Sequence, residues 1–231
     1  MSLIDIINEN NEVKDSPGRI FGVVTGIVTN IEDPDEMGRV KVMIPRLTGQ
    51  DDESHWARIA TLMAGPEMGA FFLPEVDDEV LLAFEYGDIS MPYVIGSLWN
   101  GKDAPPETNS DGDNNIRVIK SRSGHKIELN DEDGAEKIHI QASGEKDEII
   151  IDVAENTITI QADVEIKLIS SDGKITIDAK EGEFTFSDAL NITAKELNIE
   201  TDAAVNVTGG ADIVLEASGN LDAKGATINL N

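Results

Sequence analysis

Fifty residues of unbroken alternation constrain this chain more than any other feature. From 157 to 207 it reads TITIQADVEIKLISSDGKITIDAKEGEFTFSDALNITAKELNIETDAAVNV, apolar then polar, with no helical period. Only extended backbone sends successive side chains to opposite faces. Strands run about five or six residues, so the text must encode many short strands. Apolar pairs or triples at spacing two recur with a mean step of roughly eight residues. They are Ile158 and Ile160; Val164, Ile166 and Leu168; Ile175 and Ile177; Phe184 and Phe186; Leu190 and Ile192; Leu197 and Ile199; Val205 and Val207; Ile213 and Leu215; Leu221; and Ile228 and Leu230. Gly173, Gly182, Gly209, Gly219 and Gly225, or Asp, Asn and Ser, fall between them. The pattern predicts short strands with glycine-bearing corners, coiled about an axis.

Each unit offers only two or three inward side chains. Single-chain solenoids spend about twenty or more residues per turn, so units this short make poor walls for one chain. Three copies wound together remove the difficulty: the three stripes meet on the axis, and strands pair with neighbouring chains, leaving few open edges. Asp163, Glu165, Lys167, Asp178 and Glu200 then face water. Roughly thirteen units, each rising about 4.8 Å, give a rod of ~60 Å. The alternation starts at Ile116, so 116–231 is expected to be an intertwined trimeric β-helix, a needle with its axial core running from Ile158 to Leu230. Ile228, Leu230 and Asn231 would form its blunt end, where a tip protein or cargo docks. Asp172-Gly173 leaves another route open, because Asp-Gly favours hairpins and a conventional antiparallel meander.

The first half reads differently. Of the ten aromatic residues, eight lie between Phe21 and Trp99, so an aromatic-bearing core belongs there. FGVVTGIVTNI, GRVKVMI, HWARIATLM, DEVLLAFEY and YVIGSLW alternate with turn-forming text such as DPDEMG and GQDDES. Five or six short strands in residues 17–106 predict a small barrel. The turn-rich stretch DAPPETNSDGDNN covers 103–115, and 107–115 is expected to be a linker. Residues 1–16 form a polar arm carrying Leu3, Ile4, Ile6 and Ile7, readable as a short helix or an extended segment. The expected class is therefore all-β, an N-terminal barrel followed by a C-terminal needle.

Several function classes are disfavoured. A net charge of −27 repels phosphate backbones, and 17–105 alone holds 15 acidic against 6 basic residues, so no nucleic-acid partner is expected. Cysteine is absent, which removes disulfides, thiolate metal sites and cysteine nucleophiles. MSLIDIINENNEV does not read as a secretory signal, and no segment approaches the roughly twenty apolar residues of a membrane span. Assembly in the cytoplasm is expected, with export by other means. Adjacent carboxylates at Asp51/Asp52 and Asp77/Asp78 sit in turn-like text beside no serine or histidine constellation, so catalysis is not expected. Gly209-Gly210-Ala211-Asp212 occurs once, whereas calcium-binding repeats need a series. His139, between Ile138 and Ile140, should point outward, and His125 follows Gly124 at a corner. Neither is expected to hold a metal, and no cofactor is expected. Trp56 and Trp99 are read as core or trimer contacts; stacking on a ligand is the alternative.

GRVKVMIPRL (38–47), SHWARIATLMAG (54–65), GAFFLPEVDDEVLLAFEYGD (69–88) and PYVIGSLWNGKDAPP (92–106) closely resemble the spike proteins of contractile injection machines. These are the baseplate assembly protein V family of phages and the matching part of the valine-glycine repeat (VgrG) spikes of type VI secretion and extracellular injection particles. SRSGHKIELNDEDGAEKIHIQ (121–141) resembles their passage from barrel to needle. The resemblance implies an OB-type (oligonucleotide/oligosaccharide-binding) barrel followed by a trimeric β-helix, a homotrimer on the tube axis. It further implies a hub protein and inner tube as partners, a PAAR-type tip protein at the C-terminal end, and transient contact with a target membrane. A histidine-ligated tip ion is not implied, since His55, His125 and His139 all lie far from the C-terminus. Where the family usually has glycine before Asp-Glu-Val, this chain has Asp77, so a positive φ is expected on a residue that tolerates it better than most. The competing reading is an adhesin-like stalk with a ligand-binding barrel.

Overall fold

β-Branched residues at alternate positions build the first sheet of the computed structural model, which describes residues 19–46 and 53–229. Its strands are β1 (Val24–Asn30), β2 (Lys41–Met43), β3 (Arg58–Ile59), β6 (Glu79–Phe84) and β7 (Pro92–Ser97), in the order β2-β1-β6-β7-β3. A small ribbon, β4 (Ala64–Gly65) and β5 (Met68–Gly69), stands apart. β3 pairs parallel with β7, while the other pairs are antiparallel. Bridges Val40↔Ala57 and Met43↔Glu53 bring the segment before β3 back onto β2. The sheet therefore closes into the five-stranded barrel the sequence predicts.

The barrel core is Val28, Val40, Val42, Ile44, Ala57, Val80, Leu82, Phe84 and Val94, all buried. β6 shows the pattern cleanly: Val80, Leu82 and Phe84 face inward and Glu79, Leu81 and Ala83 do not. Gly26 is required by close approach, since a Cβ there would stand 2.8 Å from Leu82 Cδ1. The turn before β6 holds Asp77 at φ +77°, as its place in the motif predicts. Its N–H donates to Val28 O at 2.9 Å, and Asp78 Oδ2 accepts from Glu75 N at 2.8 Å.

A second sheet contains β8 (Ile116–Lys120), β9 (Lys126–Asn130), β10 (Lys137–Gln141), β11 (Glu148–Asp152) and β12 (Thr157–Gln161). Each strand has five residues and pairs antiparallel with the next across its full length. The corners in 116–161 are hairpins, so this part is a meander within one chain. Positive-φ residues make the reversals: Gly124, Gly134, Gly144 with Glu145, and Asn156. Beyond Gln161 the described residues carry neither helix nor strand, and from Asp163 to 229 every one is exposed. The chain divides into two units, one ending at Leu168 and the other starting at Ile169. The described residues are all-β apart from one 3-10 turn at Glu85–Gly87.

Candidate functional site

The period-two alternation of β8–β12 sorts its side chains onto two faces. Register then lines them up in rows. Ile119, Ile127, Ile140, Ile149 and Ile160 stand opposite one another from strand to strand. Arg117, Leu129, Ile138, Ile151 and Ile158 form the second row of the same face. Nine of these ten side chains are aliphatic. Arg117 ends its row and is held by the Asp131 carboxylate.

This face is open. Its aliphatic residues range from 36 % exposed at Ile138 to 70 % at Ile158. Together they leave on the order of 800 Å² of apolar surface uncovered, what each partner supplies to a stable protein interface. The opposite face is mostly polar, with Ile116, Val118 and Ile150 among its side chains, and in β9–β11 it is better covered. His139 pairs with Glu148 at 2.8 Å and Lys126 with Glu128 at 3.1 Å, each with a largely covered side chain. A half-covered antiparallel sheet ordinarily buries its apolar face and wets its polar one. Here the single chain shows the reverse, so the sheet is built to be covered on its aliphatic side.

Ile158 and Ile160, expected on the needle axis, stand on this open aliphatic face, 70 % and 56 % exposed. The same face also collects Ile119, Ile127, Leu129, Ile138, Ile140, Ile149 and Ile151, which reading the repeat from 158 onward missed. KIELN and KIHIQ carry the same spacing and would have revealed them. Val164, Ile166 and Leu168, and the tail positions from Ile175 to Ile228, are exposed, and no described strand brings them together. Leu230, Asn231 and the arm at 1–16 lie outside the described residues.

Elsewhere the candidate chemistry resolves into structure. His139 lies on the face opposite Ile138 and Ile140, as expected, but its side chain is largely covered and held by Glu148 rather than open to water. His125 Nδ1 accepts from Ser143 N at 3.1 Å, joining two turns. Asp77 and Asp78 build the turn before β6, whereas Asp51 and Asp52 lie outside the described residues. Trp56 has Arg39 Cζ at 5.9 Å and Lys41 Nζ at 5.5 Å from its ring centroid, contacts that suit a cation over an aromatic ring. Trp99 is 69 % exposed. Among the described residues, no three His, Asp or Glu side chains converge as a metal site would require.

The charged groups around Trp56 are tightly organised. Asp33 accepts from Arg39 Nε at 2.9 Å and from its guanidinium NH2 at 2.6 Å. It also accepts from the backbone N–H groups of Asp35, Met37 and Arg39. The Arg39 guanidinium, aided by these amides, holds the Asp33 carboxyl well below the usual carboxylate range. Lys41, 2.9 Å away, lowers Glu53 likewise. The hydrogen bond from Tyr93 to Glu85 raises the phenol. The barrel is linked to the meander by Arg122, whose guanidinium donates to Glu75 at 2.9 Å.

Comparison with known proteins agrees with this architecture. Residues 24–99 match the family described as the type VI secretion system/phage-baseplate injector OB domain. The type VI secretion spike protein VgrG5 of Pseudomonas aeruginosa is 31 % identical over 144 residues, covering 57 % of this chain and 18 % of that one. VgrG1a of the same organism is 26 % identical over 126 residues, 50 % of this chain and 20 % of the relative. The actin cross-linking toxin VgrG1 of Vibrio cholerae is 26 % identical over 125 residues, 50 % of this chain and 11 % of the toxin. The match spans between about a tenth and a fifth of the length of these relatives. Residues 24–99 thus resemble the type VI secretion system/phage-baseplate injector OB domain, and about half of the chain is similar to part of the VgrG spike proteins of type VI secretion.

Proposed function

We propose that this chain is the spike of a contractile injection machine, a homotrimer on the tube axis that punctures a target envelope mechanically. In this reading 17–106 is the barrel that docks a hub protein and the inner tube. Residues 107–115 link it to the needle, 116–231. The C-terminal end, Ile228 with Leu230 and Asn231, receives a PAAR-type tip protein or cargo. The chain acts by shape and stiffness without catalysis of its own. It assembles in the cytoplasm, travels with the machine and meets the target membrane only in passing.

The open double row of aliphatic residues on β8–β12 carries the trimer reading, together with the alternation that runs on through 229. An all-exposed stripe of this length needs other strands to cover it, because unpaired backbone and bare aliphatic surface are both costly in water. Three copies supply identical stripes with identical spacing. The adhesin-like alternative asks the barrel to stack a ligand on Trp56 or Trp99; Arg39 and Lys41 lie over the Trp56 ring, which leaves the exposed Trp99 to carry it. Light scattering on the purified chain tests the proposal. The expected mass is three times the 24.9 kDa of one copy; a stable, folded single copy would overturn it.

A further inference from the structure

We propose that the β8–β12 sheet is the trimer's registration platform. Three copies of this chain meet first through its aliphatic face, and the tail from Asp163 onward orders afterwards, from the platform outward. The inference rests on the spike reading and adds to it the order of assembly and the surface that sets it.

The contrast between the two stretches supports it. β8–β12 is complete in a single chain, every strand paired over all five residues. The tail has no strand of its own and every residue from Asp163 to 229 is exposed. Each tail unit gains two or three aliphatic contacts but must order about eight residues to make them, so an isolated unit is a poor nucleus. Added to a formed template, the same unit starts with its chain already positioned, and loop closure costs it little.

Register is the second reason. Tail units resemble one another at a step of roughly eight residues. Three tails meeting alone could pair one unit out of step and lose only the terminal contacts, since strands with repetitive patterning specify register weakly. The platform has no such degeneracy. Arg117, tied to Asp131, closes one end of its second row with a charge, and a slipped copy would set that charge against isoleucine. The occupant is a second copy of this chain, because the aliphatic spacing of β12 runs on into the tail and only an identical chain matches both spacing and length.

The test uses full-length chains, each measured by light scattering for mass and by hydrogen exchange for protection of tail peptides. Ile140→Asp puts a carboxylate in the middle of the isoleucine row. Thr159→Asp puts one on the opposite face of the same sheet, and Ile213→Asp puts one in the tail. The expected result is a trimer for the unaltered chain and for Thr159→Asp. Ile213→Asp should remain a trimer with protection lost only around and beyond 213. Ile140→Asp should be a single copy with the tail unprotected throughout, its barrel shown intact by unchanged hydrogen-exchange protection of β1 and β6. Ile149→Thr, which keeps a β-branched residue in the strand, should weaken association at least tenfold. A trimeric Ile140→Asp with a protected tail, or a monomeric Ile213→Asp, would overturn the platform and leave the spike intact. A monomeric unaltered chain would overturn both.

Discussion

Nine buried apolar side chains make the barrel core, and nine aliphatic side chains line one face of the β8–β12 sheet. The first set is at most 8 % exposed and the second at least 36 %. Both come from short strands of alternating pattern, so composition alone does not separate them. Closure does. In the barrel, β3 returns to β2 and β7, and the sheet becomes its own cover. The meander ends in two edges, and among the described residues its aliphatic side stands open. The one hydrophobic inventory stabilises a fold in the first case and calls for partners in the second.

Five substitutions would break or sharpen that contrast. The largest effect is expected from truncating each set in turn. Leu82→Ala should cost the barrel about 2–5 kcal/mol, read as a shift in its unfolding midpoint with the trimer mass retained under native conditions. Ile138→Ala should leave the barrel's unfolding midpoint in the full chain unmoved and weaken association by a comparable amount per chain, read by dilution. Equal effects of both on barrel unfolding would erase the distinction.

Asp33→Asn comes next. The folded carboxyl is held below its unfolded value of about 3.9, so its stabilisation is present above that pH and disappears as pH falls below it. The unaltered barrel should melt higher than the variant at pH 7, and the gap should close in acid below about pH 4. A gap independent of pH would assign the loss to packing. Gly26→Ala should destabilise the barrel by about 1–3 kcal/mol through crowding against Leu82, and denaturant titration measures it. Asp77→Gly should stabilise it by about 0.5–1 kcal/mol, by relieving a positive φ. A loss there would show that the Asp77 side chain contributes something the turn needs.

Much of this was legible in the residues. FGVVTGIVTN and DEVLLAF announce inward valine and leucine, and both became central barrel strands. The position of Asp77 announced its φ, and the flanking isoleucines of His139 announced its direction. The hairpins of 116–161 were harder to read. SRSGHK, NDEDGAEK and SGEKDE are polar corners of a kind that suits either a coil or a reversal, and only the positive φ at their glycines decides. A barrel was expected, but the pairs that close it were hidden, because the segment from Glu53 to Ile59 pairs on both sides through single bridges and a two-residue strand. Such short pairings leave no periodic trace. The cations over Trp56 come from Arg39 and Lys41, some sixteen residues away in sequence, a distance at which no local pattern speaks.

The parallel contact between Arg58–Ile59 and Tyr93–Val94 has a mechanical corollary. A barrel is only as tight as its thinnest stave joints; this one is two residues long and the closure onto β2 rests on single bridges, while β6 and β7 share five paired positions. Pulled or heated, the wall should part on one of these two flanks of the 53–59 segment first, with the amides of Ala57 and Ala60, bonded to Val40 O and Val94 O, exchanging ahead of those in β6. Under the proposed spike role the load would be compression along the length, and a hoop weak on one side would survive that far better than peeling.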